Sequence, residues 1–151
     1  MIRITFCGHR DAWGIEELRE KILDTIENFV KNDEVEFWLG GYGAFDSFAL
    51  RCCKEYKATH SAATIIFVTP YLNNDYIKRR ETLLGGYDGI ETPPIEGTPP
   101  KYAILKRNEY MVDRSDLLIA YVNYGWGGAA KILEYAIKKH KQYINFGTYE
   151  K

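Results

Sequence analysis

The sequence predicts an α/β fold built on an open, mostly parallel sheet, and three observations lead there. Short apolar strands alternate with helical stretches along the 151 residues, the rhythm of strand, crossover helix and parallel strand. Three strands run directly into glycine-bearing turns, each followed by a helical pattern: 2–7 into Gly8-His9-Arg10, 35–39 into Gly40-Gly41-Tyr42-Gly43, and 117–122 into Gly125-Trp126-Gly127-Gly128. The run Thr64-Ile65-Ile66-Phe67-Val68-Thr69 is β-branched and continuously apolar, as a strand covered on both faces must be.

Taken in order, residues 2–7 read as strand and 15–31 as an amphipathic helix, with Ile15, Leu18, Ile22, Ile26 and Phe29 near helical spacing. Residues 35–39 are strand, and 45–58 are helix with Phe45, Phe48, Ala49, Cys52 and Tyr56 on one face. Strand 64–69 stops at Pro70. The stretch 71–101 breaks the rhythm with Gly85-Gly86, Pro93-Pro94 and Pro99-Pro100 between tyrosines. A short helical piece is expected from about Asp75 to Leu84. Long irregular segments in compact domains are functional more often than chance allows, so a lid or a subunit contact is expected, with a plain surface excursion as the alternative. Residues 103–114 are helix, 116–122 buried strand, 128–140 helix and 142–146 the last strand.

Length and composition describe one domain with a core of its own. No segment has the ~18 apolar residues of a membrane span, and the first residues form a strand rather than a secretory leader, which points to the cytoplasm. The net charge of −1 argues against a protein that coats nucleic acid. The basic groups Lys78, Arg79, Arg80, Lys101, Lys106 and Arg107 read as solvated surface. Cys7, Cys52 and Cys53 lack metal-site spacing, so neither a zinc site nor a disulfide framework is expected. Cys7 reads as a small buried side chain rather than a nucleophile.

In a parallel sheet the strand C-termini share one edge, so the three turns converge there, where ligands bind at the point of strand-order reversal. Glycine lets backbone N–H groups approach an anion, and the following helix adds positive partial charge. A pocket for a phosphate-bearing small molecule follows. Gly8, His9 and Arg10 close the first strand, and Arg10 suits bidentate phosphate contact. Gly40, Gly41 and Gly43 turn the chain into the second helix. Asp46 in its first turn either stabilises the helix dipole or recognises a ribose hydroxyl. No dinucleotide G-x-G-x-x-G and no Walker A sequence is present, so no NAD, ATP or other cofactor, and no metal, is expected. Glu134 falls about two turns into its helix, where it either reaches the pocket or pairs with Lys131 or Lys138.

The ordered set Gly8-His9-Arg10, Gly40-Gly41-Tyr42-Gly43-Ala44-Phe45-Asp46, Arg107-Asn108, Ser115-Asp116 and Gly127-Gly128 with Ala136 resembles the SLOG superfamily. That group joins the Rossmann-like domain of DNA-processing protein A with the LOG phosphoribohydrolases. The resemblance spans nearly the whole chain outside 71–101, and its last third resembles small stand-alone bacterial and phage-borne members. It implies that Arg107 and Met111 match an Arg-Lys-x-x-Met motif, with Asn108 in place of lysine. It also implies that Gly127, Gly128 and Glu134 match Pro-Gly-Gly-x-Gly-Thr-x-x-Glu, with Trp126, Ala130 and Lys131 in place of proline, glycine and threonine. In an enzyme of this kind Arg107 and Glu134 would be catalytic, beside an altered phosphate cradle in which Lys131 offers charge.

The fold expected is therefore a single-domain Rossmann-like three-layer sandwich with a five-stranded, mostly parallel sheet in the order 3-2-1-4-5. The function expected is binding of a nucleotide or nucleotide-derived phosphorylated small molecule, as sensor or carrier. The alternatives are cleavage of an N-glycosidic bond in a nucleoside monophosphate and, against the net charge, single-stranded DNA binding. The expected partner is a small molecule, not nucleic acid or membrane, with a homodimer or higher homo-oligomer left open.

Overall fold

The computed structural model describes residues 1–41, 43–70, 85–95 and 97–150. Six strands form one parallel sheet: β1 (Ile2–Gly8), β2 (Val35–Leu39), β3 (Ala63–Val68), β4 (Gly89–Glu91), β5 (Leu117–Tyr121) and β6 (Tyr143–Asn145). Their spatial order is β4-β3-β2-β1-β5-β6. The five strands expected from sequence thus stand in the expected order, and a sixth is added at the β3 edge. Gly89-Ile90-Glu91 pairs with Ile66, Phe67 and Val68. Three residues carry too little periodicity to be read as a strand.

Among the described residues four helices lie between the strands: α1 (Arg19–Val30), α2 (Gly43–Thr59), α3 (Pro100–Arg114) and α4 (Gly128–Lys138). A 3-10 turn at Glu16–Leu18 leads into α1, where the sequence suggested a continuous helix. The short helical piece expected between Asp75 and Leu84 lies outside the described residues.

Alternate strand residues face opposite layers, as the pleat requires. Ile4, Phe6, Phe37, Leu39, Ile65 and Ile119 pack with Ile22, Ile26 and Val30 of α1 and with Phe45, Phe48, Cys52 and Tyr56 of α2. On the other face, Cys7, Leu118, Ala120 and Val122 pack with Ala129, Ala130, Leu133 and Ala136 of α4. Trp38 and Val68 meet Met111 of α3. Small residues on α4 let that helix sit close to β1 and β5. No helix among the described residues is long and apolar enough to cross a membrane.

This order sets the site. β1 pairs with β2 on one side and with β5 on the other. The chain leaves β1 toward one half of the sheet and returns to build the other. The crevice beyond the C-terminal ends of β1 and β5 is therefore the topological switch point.

Candidate functional site

A cavity of about 620 Å³ opens at that switch point, within the ~300–1,000 Å³ range of small-molecule sites. The exit of β1 lines it from Phe6 to Asp11, and the exit of β2 contributes Gly40. Asp46 comes from α2, and Ile104, Arg107, Asn108 and Met111 from α3. Tyr124, Trp126, Gly127 and Gly128 enter from the β5–α4 loop, with Ala129 and Ile132 from α4.

Of the residues the sequence nominates, Gly8, His9, Arg10, Gly40, Asp46, Arg107, Gly127 and Gly128 line this cavity, whereas Gly41, Gly43, Lys131 and Glu134 do not. Lys131 faces a neighbouring groove of about 360 Å³ between α3 and α4, with Lys101, Tyr102 and Glu109. Glu134 lies further along the same outer face, where its carboxylate accepts the Tyr149 hydroxyl at 2.8 Å. Arg107 and Glu134 therefore border different spaces. Two helical turns carry Glu134 past the cavity mouth, and the C-terminal tail engages it there.

The three glycine turns do share one edge, but they differ in what fills them. A Cβ on Gly8 would stand 2.2 Å from the Phe45 ring, and one on Gly40 would stand 2.9 Å from the Arg107 guanidinium. Gly43 packs against Arg10, whose carbonyl accepts the Ala44 N–H at 2.8 Å. At these three glycines the space that a side chain would take is filled by protein. At the third turn, Gly127 (φ +91°) and Gly128 have no atom within 4 Å of an added Cβ. The first intrahelical bond of α4 runs from the Lys131 N–H to the Gly127 carbonyl at 3.2 Å, so the N–H groups of its first turn lack intrahelical acceptors. An anion placed there meets these donors and the positive end of the helix.

Arg107 is buried, and its Nη1 donates to the Val68 carbonyl at 3.0 Å and the Gly40 carbonyl at 3.3 Å. Its Nε donates to Asn108 Oδ1 at 2.9 Å. The side chain joins α3 to the ends of β2 and β3 and presents its remaining surface to the cavity. Arg10 is exposed at the rim. Asp46 is half-buried in the first turn of α2.

His9 is buried, and its Nε2 accepts the Asn123 backbone N–H at 2.8 Å. That bond requires an unprotonated Nε2, which puts the proton of the neutral ring on Nδ1. Burial lowers the pKa of His9 below its ordinary value, and the Asp11 carboxylate partly opposes this. Cys7 is 2% exposed, with its thiol against the Ala129 carbonyl at 3.7 Å. Burial, and secondarily the Asp46 charge, pushes that thiol far up, leaving it protonated and inert.

Tyr124, which the sequence reading passes over, and Trp126, which it names only within the third turn and in place of a motif proline, both line the cavity. Their signal was two aromatics set among glycines after a strand, where no core needs them. No group of metal-ligating side chains occurs among the described residues.

An open parallel sheet with a switch-point cavity defines a Rossmann-like α/β protein, and its fold is similar to that of DNA processing protein A. The chain superposes on DNA processing protein A from Streptococcus pneumoniae with a TM-score of 0.64 at 14% identity, covering 96% of this chain and 50% of that one. It superposes on the protein from Helicobacter pylori, whose structure describes a single-stranded DNA binding mode, with a TM-score of 0.59 at 16% identity. There it covers 95% of this chain and 64% of that one, so it spans about half to two thirds of these neighbours. In sequence it is 27% identical over 143 residues to the uncharacterized SPbeta prophage-derived protein YoqJ of Bacillus subtilis, covering 82% of each. No protein-family model matches the chain. The expectation that nucleic acid is not a partner is corrected here. It rested on net charge, and it conflicts with the likeness of this fold to a DNA processing protein whose structure describes single-stranded DNA binding.

Proposed function

We propose that the switch-point cavity binds a nucleotide or a nucleotide-derived phosphorylated molecule, and that the protein acts as a sensor or carrier of it. The observation that carries this reading is the meeting of Arg10 with the open Gly127–Gly128 start of α4 across one cavity. A phosphate there receives backbone N–H groups, the helix dipole and a guanidinium together. Asp46 and His9, which line the same cavity, supply polar groups for a sugar. The fold shared with DNA processing protein A supports the same chemistry. A phosphate-bearing nucleotide unit can come free or as part of a single strand.

Calorimetric titration with inorganic phosphate, nucleoside monophosphates and single-stranded oligonucleotides tests the reading and separates those sources. Binding of a nucleotide, free or in a strand, is expected. Arg10→Ala should weaken it roughly tenfold or more, since a charged hydrogen bond contributes about 1.5–3 kcal/mol. Absence of binding by every probe overturns the reading, and unchanged affinity in Arg10→Ala removes Arg10 from the site.

A further inference from the structure

The cavity rim carries a column of three rings. His9 stacks on Tyr124 with centroids 3.9 Å apart and planes 9° from parallel. Tyr124 stacks on Trp126 at 4.1 Å and 26°. Exposure rises along the column, from 7% at His9, through half-buried Tyr124, to 70% at Trp126. An indole that exposed, with one face on Tyr124, leaves its far face to solvent.

The column is held at both ends of its loop. The Asn123 N–H donates to His9 Nε2 at 2.8 Å, which ties the loop to β1. From the other side, the Asn145 side chain accepts the Val122 N–H at 2.9 Å and donates to the Val122 carbonyl at 3.0 Å. The Thr148 N–H donates to Asn123 Oδ1 at 3.0 Å. Rings fixed in this way lose little freedom when a further ring is added. Trp126 also directly precedes Gly127 and Gly128, so the open indole face and the anion-accepting helix start lie one residue apart in the chain.

We infer that the His9–Tyr124–Trp126 column is a base-stacking platform: the nucleobase of the ligand lies on the outer face of Trp126 while its phosphate meets the start of α4. This rests on the nucleotide reading above and adds that the base, not the phosphate alone, is recognised. Recognition by stacking tolerates any base, because each has a π-face. The platform therefore sets affinity for nucleotides over sugar phosphates more than it sets base identity.

The test uses the whole chain carrying Trp13→Phe. Trp13 is 80% exposed and does not line the cavity, and Trp38 is buried in β2, so Trp126 becomes the one exposed indole among the described residues. Titration with adenosine monophosphate or an oligothymidylate should quench its fluorescence, and ribose 5-phosphate should not. Trp126→Ala should weaken binding of the base-bearing probe at least about tenfold and leave ribose 5-phosphate unchanged, while Trp126→Phe retains most of the affinity. Full affinity of Trp126→Ala for the base-bearing probe, or ribose 5-phosphate binding as tightly as adenosine monophosphate, overturns the platform and leaves the phosphate site standing. If neither adenosine monophosphate nor the oligonucleotide binds, the platform and the nucleotide reading fall together.

Discussion

Arg107 holds two strand ends through a single nitrogen, and it does so at 4% exposure. Removing it strands buried carbonyls of Gly40 and Val68. Arg107→Ala should therefore lower stability by about 2–4 kcal/mol, read as the midpoint of urea unfolding. Arg107→Lys should restore only part of this, because one ammonium cannot copy the planar fork. Stability untouched by Arg107→Ala would show the side chain to be a ligand contact alone. His9 makes a second residue-scale case. Its pKa is lowered in the folded state by burial, so the unfolded chain binds the proton more readily. Stability is then full above the unfolded value of about 6.5 and is lost as pH falls from there toward the folded value. Protonation also turns Nε2 from acceptor to donor against the Asn123 N–H. Unfolding midpoints across that window should drop for the wild type more than for His9→Phe, and equal slopes would detach His9 from the acid sensitivity.

At the scale of elements, the start of α2 and the start of α4 look alike in sequence and differ in the fold. Gly8→Ala drives a methyl group into Phe45 at the α2 side, and overpacking of that kind costs about 1–3 kcal/mol. Gly128→Ala meets nothing within 4 Å, so its melting temperature should hold or rise slightly, since alanine is the better helix residue. Its affinity for phosphate-bearing probes should nonetheless fall, because the new methyl group stands where the anion approaches. A Gly128→Ala protein that binds as tightly as wild type would move the anion away from α4. The difference between these turns was not legible in the chain. That Gly8 faces Phe45, and Gly40 faces Arg107, depends on residues 37 and 67 positions away. The strands were legible, because β-branched apolar runs such as Thr64-Ile65-Ile66-Phe67-Val68 have one physical use. Gly89-Ile90-Glu91 was not, since three residues at a sheet edge need neither continuous hydrophobicity nor a full alternation.

At the scale of the molecule, the two halves of the sheet bring β1 and β5 together and place α3 and α4 side by side over them. That arrangement bears directly on the hydrolase alternative. The pair implied by the LOG resemblance, Arg107 and Glu134, would need one shared cavity for N-glycosidic cleavage. The structure sets Arg107 on the inner wall, bonded to strand-end carbonyls, and Glu134 on the outer face of α4, bonded to Tyr149 of the C-terminal tail. Catalytic geometry tolerates little displacement, about 1 Å being enough to cost ~100-fold in rate, whereas binding survives larger changes. Nucleoside monophosphates incubated with the protein should therefore release no free base above the uncatalysed background, as measured by chromatography. Glu134→Gln is the matching control, because its amide oxygen still accepts the Tyr149 hydroxyl and keeps the tail in place. Robust turnover by the wild type that Glu134→Gln abolishes would mean that α4 turns Glu134 into the cavity in the liganded state, and the carrier reading would give way to an enzyme.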